Sequence, residues 1–409
     1  MKHRTRITRH RSSQAWFNVF RRGSALAGLV ALGALFGCGA AEGGGEESAH
    51  VEARSNAIVA FKESQPDEFK YLHAIAPALS TGTGDPAFCS NVPHSMLVFQ
   101  RDTSGFIQGW LDNSGVPGTW NKYGGTGSLR KLGGRPACGF LSGPASPNRF
   151  ILLAKGASAP SGTDKRLFWS MGSWNDDPLT TPPVTVLTTW AAMDGTPYNT
   201  NGNPAVGAHD GQLVVVYLND NGQLAANYWT GGTFSSTLTH PNLPTGWTGI
   251  GTPTIAFAQS WANKFVIFVR AKNSLNQFRV YRTFFDATQF TGAVGTGTPV
   301  YQSITFPSGA PGIQSDPAYE FFSGDFSSGT LYYRNGTRLY QMSAVNGVDD
   351  FRTSVVQPVI PSTTPSISGN PIAIGGVYYE GGAHWIMARG AGNNLYFGES
   401  YNDDDLVPN

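Results

Sequence analysis

The stretch Lys264 to Arg282, K-F-V-I-F-V-R-A-K-N-S-L-N-Q-F-R-V-Y-R, reads as a β-hairpin. Phe265 to Val269 is rich in β-branched and aromatic residues, a basic residue follows, Lys272 to Asn276 is a polar turn, and a second strand starts at Phe278. The same grammar recurs at Leu97 to Trp110, Ile151 to Trp169, Val214 to Trp229, Leu331 to Met342 and Trp385 to Phe397. Six copies of one supersecondary unit decide the fold, because no single unit of this size buries its own apolar surface.

A second landmark precedes each hairpin: Asp85-Pro86, Arg135-Pro136, Asn203-Pro204, Thr252-Pro253, Asp316-Pro317 and Asn370-Pro371. Proline is tolerated at the first residue of a strand, so each unit reads as a proline-led inner strand, two strands in a hairpin, and an outer edge strand. That is a blade of four antiparallel strands, and six landmarks predict an all-β propeller of six blades in one domain over 55–409. A seventh blade is the alternative, hidden in Asn175 to Thr200 or Phe290 to Pro311. Little chain follows the third strand of the last unit, so residues 55–80, with strand-like Ala57 to Phe61 and Phe69 to Ile75, are expected to supply its outer strand.

Composition agrees with many short strands and tight turns: charged residues are 13% of the chain, aromatics 12%, with 51 glycines and 26 prolines. The net charge of +1 is misleading, since seven of the 28 basic residues precede Cys38 and no acid does. The chain after it carries 21 basic residues against 27 acids. A mildly acidic body without a basic run argues against nucleic acid as a partner.

Residues 1–37 have the form of a secretory leader, a basic region to Arg22 and an apolar run from Gly23 to Gly37 that is short for a membrane span. Leu35-Phe36-Gly37-Cys38 resembles the bacterial lipobox, which implies lipid on Cys38 as the new N-terminus; the alternative is an ordinary signal peptide cleaved near Ala40. Residues 38–54 then form a Gly/Glu-rich tether. The lipobox resemblance implies a lipid-anchored protein of the cell envelope, and Gly39 in place of an aspartate points to the outer membrane or cell surface. Cys89 and Cys138 remain, an even pair in an oxidising compartment. Their positions differ by one place relative to the repeat's proline, which in a strand turns side chains to opposite faces. Two buried thiols are the expectation, a bridge between adjacent inner strands the alternative.

Propeller geometry brings the residues before the prolines to the mouth of the axis, among them Asp85 and Asp316, and brings the ends of the second strands to the same face. Those ends are Arg101, Lys155, Asn219, Arg270, Arg334 and Arg389. Guanidinium forks hydrogen-bond vicinal hydroxyls or carboxylates, and aromatic rings stack on apolar sugar faces. Trp110, Trp169, Trp229 and Tyr396, on third strands, could supply such rings. The structural alternative is that the arginines pair with neighbouring acids and the aromatics fill the space between blades. The set resembles the fucose-binding propeller lectins of bacteria and fungi, whose blades run G-x-P-A, V-F-V-R-G, a turn, then L-Y-x-x-W. Phe268-Val269-Arg270, Met387-Ala388-Arg389-Gly390 with Leu395-Tyr396, and Asn203-Pro204-Ala205 carry that resemblance. It implies a lectin-like partner, a glycan or other surface ligand, bound without chemistry.

Catalysis is the runner-up. The arginines could hold a carboxylate as six-bladed sialidases do, but Asp112 to Trp120 only loosely echoes their repeated Asp-box. Glu320 and Glu380 are single carboxylates with no separation readable from sequence. No metal-ligand spacing or cofactor motif is present. An envelope protein-interaction scaffold is the third reading.

Overall fold

The structure, a computed structural model, describes His73–Ala74 and, between Gly82 and Tyr401, the strands and some of the turns that join them. The leader 1–37, Cys38, the tether to residue 54 and Ala57 to Phe61 lie outside the described residues.

Among the described residues there are six antiparallel sheets of four or five strands, besides one two-stranded ribbon. We number them as blades in chain order. Their inner strands are Gly82–Val92, Leu132–Leu141, Ala205–His209, Thr254–Ala258, Ala318–Phe321 and Ile372–Gly375. Each inner strand touches its neighbours in sequence and the first touches the last, so the sheets close into a ring. The seventh-blade alternative is not met: Val184–Val186, Ala191–Ala192 and Gln302–Ser303 from the two long stretches pair as outer strands of blades 2 and 4. Closure comes from both ends of the chain, with His73 opposite Phe397 and Ala74 opposite Tyr396, as the outer strand of blade 6. This covers an edge that would otherwise offer unpaired backbone groups.

The second strands explain the core. In Lys264–Asn273, Phe265, Ile267 and Val269 pack against Val214 and Val216 of blade 3, while Val266 and Phe268 pack against Leu331 and Tyr333 of blade 5. Blade 2 does the same, turning Phe150 and Leu152 toward blade 1 and Ile151 and Leu153 toward blade 3. A strand sandwiched between two blades is apolar on both faces, so it reads as a continuous run and not as an alternation. Each such Phe, Ile or Leu, fully removed from water, contributes about 2 kcal/mol.

The expectation of two free thiols is corrected: Cys89 and Cys138 are joined, with their Cα atoms 5.7 Å apart. The one-residue offset is the cause. Blades stack face to face, so residues that meet come from opposite faces of equivalent strands, and the offset turns Cys89 forward and Cys138 back. The prolines also need correction, since in blades 1 and 2 the inner strand begins before them. Pairing runs through Gly82 and Thr83, skips to Ala87, and likewise skips from Gly133 to Ala137. The Gly-X-Pro triplet is a bulge in a longer strand, with Gly84 and Gly134 at φ of +80° and +76°.

Candidate functional site

The residue before each proline turns toward the preceding blade, and the six form a belt. The backbone N–H of Arg135 donates to Asn203 Oδ1 at 2.9 Å, and Asn203 Nδ2 donates to Thr252 Oγ1 at 3.2 Å. The Thr252 N–H donates to Asp316 Oδ2 at 2.9 Å, and the Asp316 N–H to Asn370 Oδ1 at 2.9 Å. Asn370 Nδ2 then donates to Asp85 Oδ2 at 2.8 Å. The circuit closes electrostatically, because Asp85 faces the guanidinium of Arg135.

Asp316 also acts electrostatically on that guanidinium, although it belongs to blade 5. Burial pulls Arg135 below its ordinary pKa, opposed by the two aspartates. Burial also raises Asp316, opposed first by Arg270 and then by the Thr252 N–H. The triplet glycines make room for the belt: a Cβ on Gly251, at φ +75°, would lie 1.8 Å from Asp316 Oδ1, and one on Gly369 would lie 2.2 Å from Asp85 Oδ1. The sequence carried this signal, a glycine two residues before the proline in five of the six units, with Ser315 in the sixth.

The second-strand arginines reach the next blade's belt. Arg270 Nε lies 4.0 Å from Asp316 Oδ1. Arg334 Nε donates to the Gly369 carbonyl at 3.1 Å, and its Nη1 to the Gly336 carbonyl. Arg389 Nε lies 3.3 Å from Asp85 Oδ1, while its Nη1 donates to Asn393 Oδ1. One arrangement thus occupies three successive clefts, between blades 4 and 5, 5 and 6, and 6 and 1. Arg101 holds the equivalent register in blade 1, opposite Ile107, but the next belt residue is Arg135, and the buried Nε of Arg101 has no hydrogen-bond partner.

Register corrects one assignment. The arginine position lies two residues past the partner of the residue after proline: Phe99 for Arg101, Leu153 for Lys155, Phe268 for Arg270. In blade 3 that partner is Val216, so the equivalent residue is the buried Leu218 and not Asn219. Asn219 instead fixes the turn, its Oδ1 accepting from the N–H groups of Asn221 and Gln223.

The aromatic candidates do not share one place. Trp169 and Trp229 pack edge to face at 5.2 Å, each also against Phe234, between blades 2 and 3. Tyr396 packs against blade 5 residues, with its ring beside Gly390. Trp110 lies opposite Val98 in blade 1. Among the described residues, Phe278 is a ring that meets a candidate arginine, its centroid 5.5 Å from the Arg270 guanidinium. Of the single carboxylates, Glu320 is buried and accepts from the Tyr332 hydroxyl, and Glu380 lies outside the described residues.

No protein-family model matches the chain, and no curated protein matches it. Solved structures do. A mutant of the Aleuria aurantia lectin AAL, in complex with Fucα1-6GlcNAc, superposes with a TM-score of 0.50 at 14% identity, over 80% of this chain and 96% of that one. AofleA from Arthrobotrys oligospora gives 0.52 at 10% identity, over 81% and 87%. An AofleA variant with three arginine-to-alanine substitutions gives 0.52 at 12%, over 80% and 84%. At such identities the likeness is one of fold.

Proposed function

We propose that this chain is an exported, lipid-anchored propeller that binds a glycan on the arginine-bearing face of its ring without catalysing a reaction. The observation that carries the reading is the repetition of Arg270, Arg334 and Arg389 in three consecutive clefts. A guanidinium has five N–H donors, and in Arg334 and Arg389 the neighbouring blade engages Nε while an acceptor from the arginine's own hairpin engages Nη1. The other donors suit the paired hydroxyls or carboxylate of a sugar. The complex of the Aleuria aurantia lectin with Fucα1-6GlcNAc supports the same use of this fold.

Export and anchoring through Cys38 rest on the leader. Exchange of Cys38 for serine is expected to abolish incorporation of a fatty-acid analogue and to shift the protein out of the outer membrane or cell surface; equal labelling of both forms refutes the anchor. A glycan array, run beside a panel of fluorogenic glycosides, tests the activity. Specific retention without turnover is the expected result, turnover would make the protein a glycosidase, and neither would leave a protein-interaction scaffold. Arg389→Ala is expected to weaken binding by about 2 kcal/mol, the scale of a hydrogen bond to a charged group.

A further inference from the structure

Among the described residues, the large apolar side chains left exposed are Leu275, at 75%, and Phe278, at 49%, and both belong to the hairpin tip of blade 4. The turn itself does not require them. Asn273 Oδ1 accepts from the N–H groups of Leu275 and Gln277, at 3.0 and 2.9 Å. Blade 3 builds the same turn from Asn219, where Asn221 and the buried Leu224 stand in the places of Leu275 and Phe278. One backbone device therefore presents a polar tip in blade 3 and an apolar one in blade 4.

The blade 4 tip is also raised and braced. Its second strand runs to Asn273, beyond Arg270, and Trp247–Gly249 pairs alongside Ala271, Lys272 and Asn273. Arg279 lies over the Trp247 ring at 4.7 Å. Such bracing holds the apolar surface in place, so little ordering cost remains at binding.

Charge beneath the tip is unbalanced. Asp316 is shared by Arg270, Arg135 and the Thr252 N–H, and Arg334 lies close enough to disfavour the charged form of Arg270. Asp316 thus divides its charge between two guanidiniums, the Arg270 Nε has no hydrogen-bond partner, and the cleft wall lowers the local dielectric.

We infer that the blade 4 tip and the cleft below it are the principal ligand position, and that it takes a carboxylate-bearing sugar, whose apolar ring face rests on Phe278 and Leu275 and whose carboxylate meets Arg270. This inference rests on the glycan-binding reading. It gives that reading a charge class and a place.

The test is titration of the full chain, in detergent, with oligogalacturonate, with a sialylated oligosaccharide, and with the carboxyl-reduced counterpart of each. The acidic forms are expected to bind about tenfold or more tightly than their reduced counterparts, with the preference shrinking as salt rises. Arg270→Gln should remove most of that preference. Leu275→Asn, which copies the blade 3 turn and leaves the core untouched, should weaken acidic and reduced ligands by the same factor, with an unchanged melting temperature. Equal affinity for acidic and reduced forms, or no effect of Leu275→Asn, overturns the inference while glycan binding stands. Failure to bind any glycan overturns both.

Discussion

The joint between blades 5 and 6 and the joint between blades 1 and 2 solve one problem with different chemistry. At the first, the Asp316 N–H is capped by the side chain of Asn370. At the second, the equivalent residue is Arg135, a side chain of donors alone, which cannot accept from the Asp85 N–H. Arg135 offers charge instead, and the Cys89–Cys138 bridge ties the two inner strands beside it. The ring thus exchanges one belt hydrogen bond for a cation paired electrostatically with Asp85, and a covalent link stands at that same joint.

The comparison breaks most visibly if the covalent joint is opened. Cys89→Ser with Cys138→Ser is expected to lower the unfolding free energy by about 4 kcal/mol, from a loop closed by residues 49 apart in sequence. Denaturant unfolding, with and without reductant, measures it; no difference between the bridged and mutated forms would make the link incidental to the joint.

A third joint, between blades 3 and 4, carries the Asn203–Thr252 side-chain hydrogen bond and, in addition, a buried histidine beside Phe285, and acid should find it next. His240 is buried, both ring nitrogens lack hydrogen-bond partners, and burial lowers its pKa to about 4. The unfolded chain takes up this proton below about pH 6.5, the folded chain only near 4. Stability contributed by the neutral ring is therefore complete above that range and declines as pH falls through it, by about 3 kcal/mol at most. Urea midpoints of the wild type and of His240→Phe, followed between pH 7 and 4, should diverge; parallel curves would assign acid sensitivity elsewhere.

Asn370→Ala attacks the hydrogen-bonded joint directly. It leaves the Asp316 N–H without its acceptor and removes a donor from Asp85, for an expected cost of about 2 kcal/mol. Amide exchange at Asp316 should accelerate in this variant and not in one altered at Cys89. The smallest effect is expected from Arg389→Ala, whose ion pair with Asp85 is 23% and 12% exposed at its two side chains. We expect about 0.5 kcal/mol in folding. A much larger loss of stability, with affinity retained in the folded fraction, would make Arg389 part of the joint alone.

The sequence determined the blade and the number of blades, because a doubly buried strand such as Phe265 to Val269 must be apolar throughout, and because proline is excluded from the interior of a paired ladder. It also determined the shared register of Arg101, Arg270, Arg334 and Arg389, and the supply of blade 6's outer strand from His73–Ala74, since each follows from counting along a repeat. What belongs to a single repeat was legible. Only the tertiary structure decided what each repeat meets. The Cys89–Cys138 bridge, the belt from Asn203 to Asp85, the electrostatic pairing of Arg135 with Asp85 and Asp316, and the exposure of Phe278 depend on the face that one blade turns to the next. A period-two pattern says that faces alternate but not which neighbour lies on either side. Two opposite blades share a carboxylate only after all six have closed.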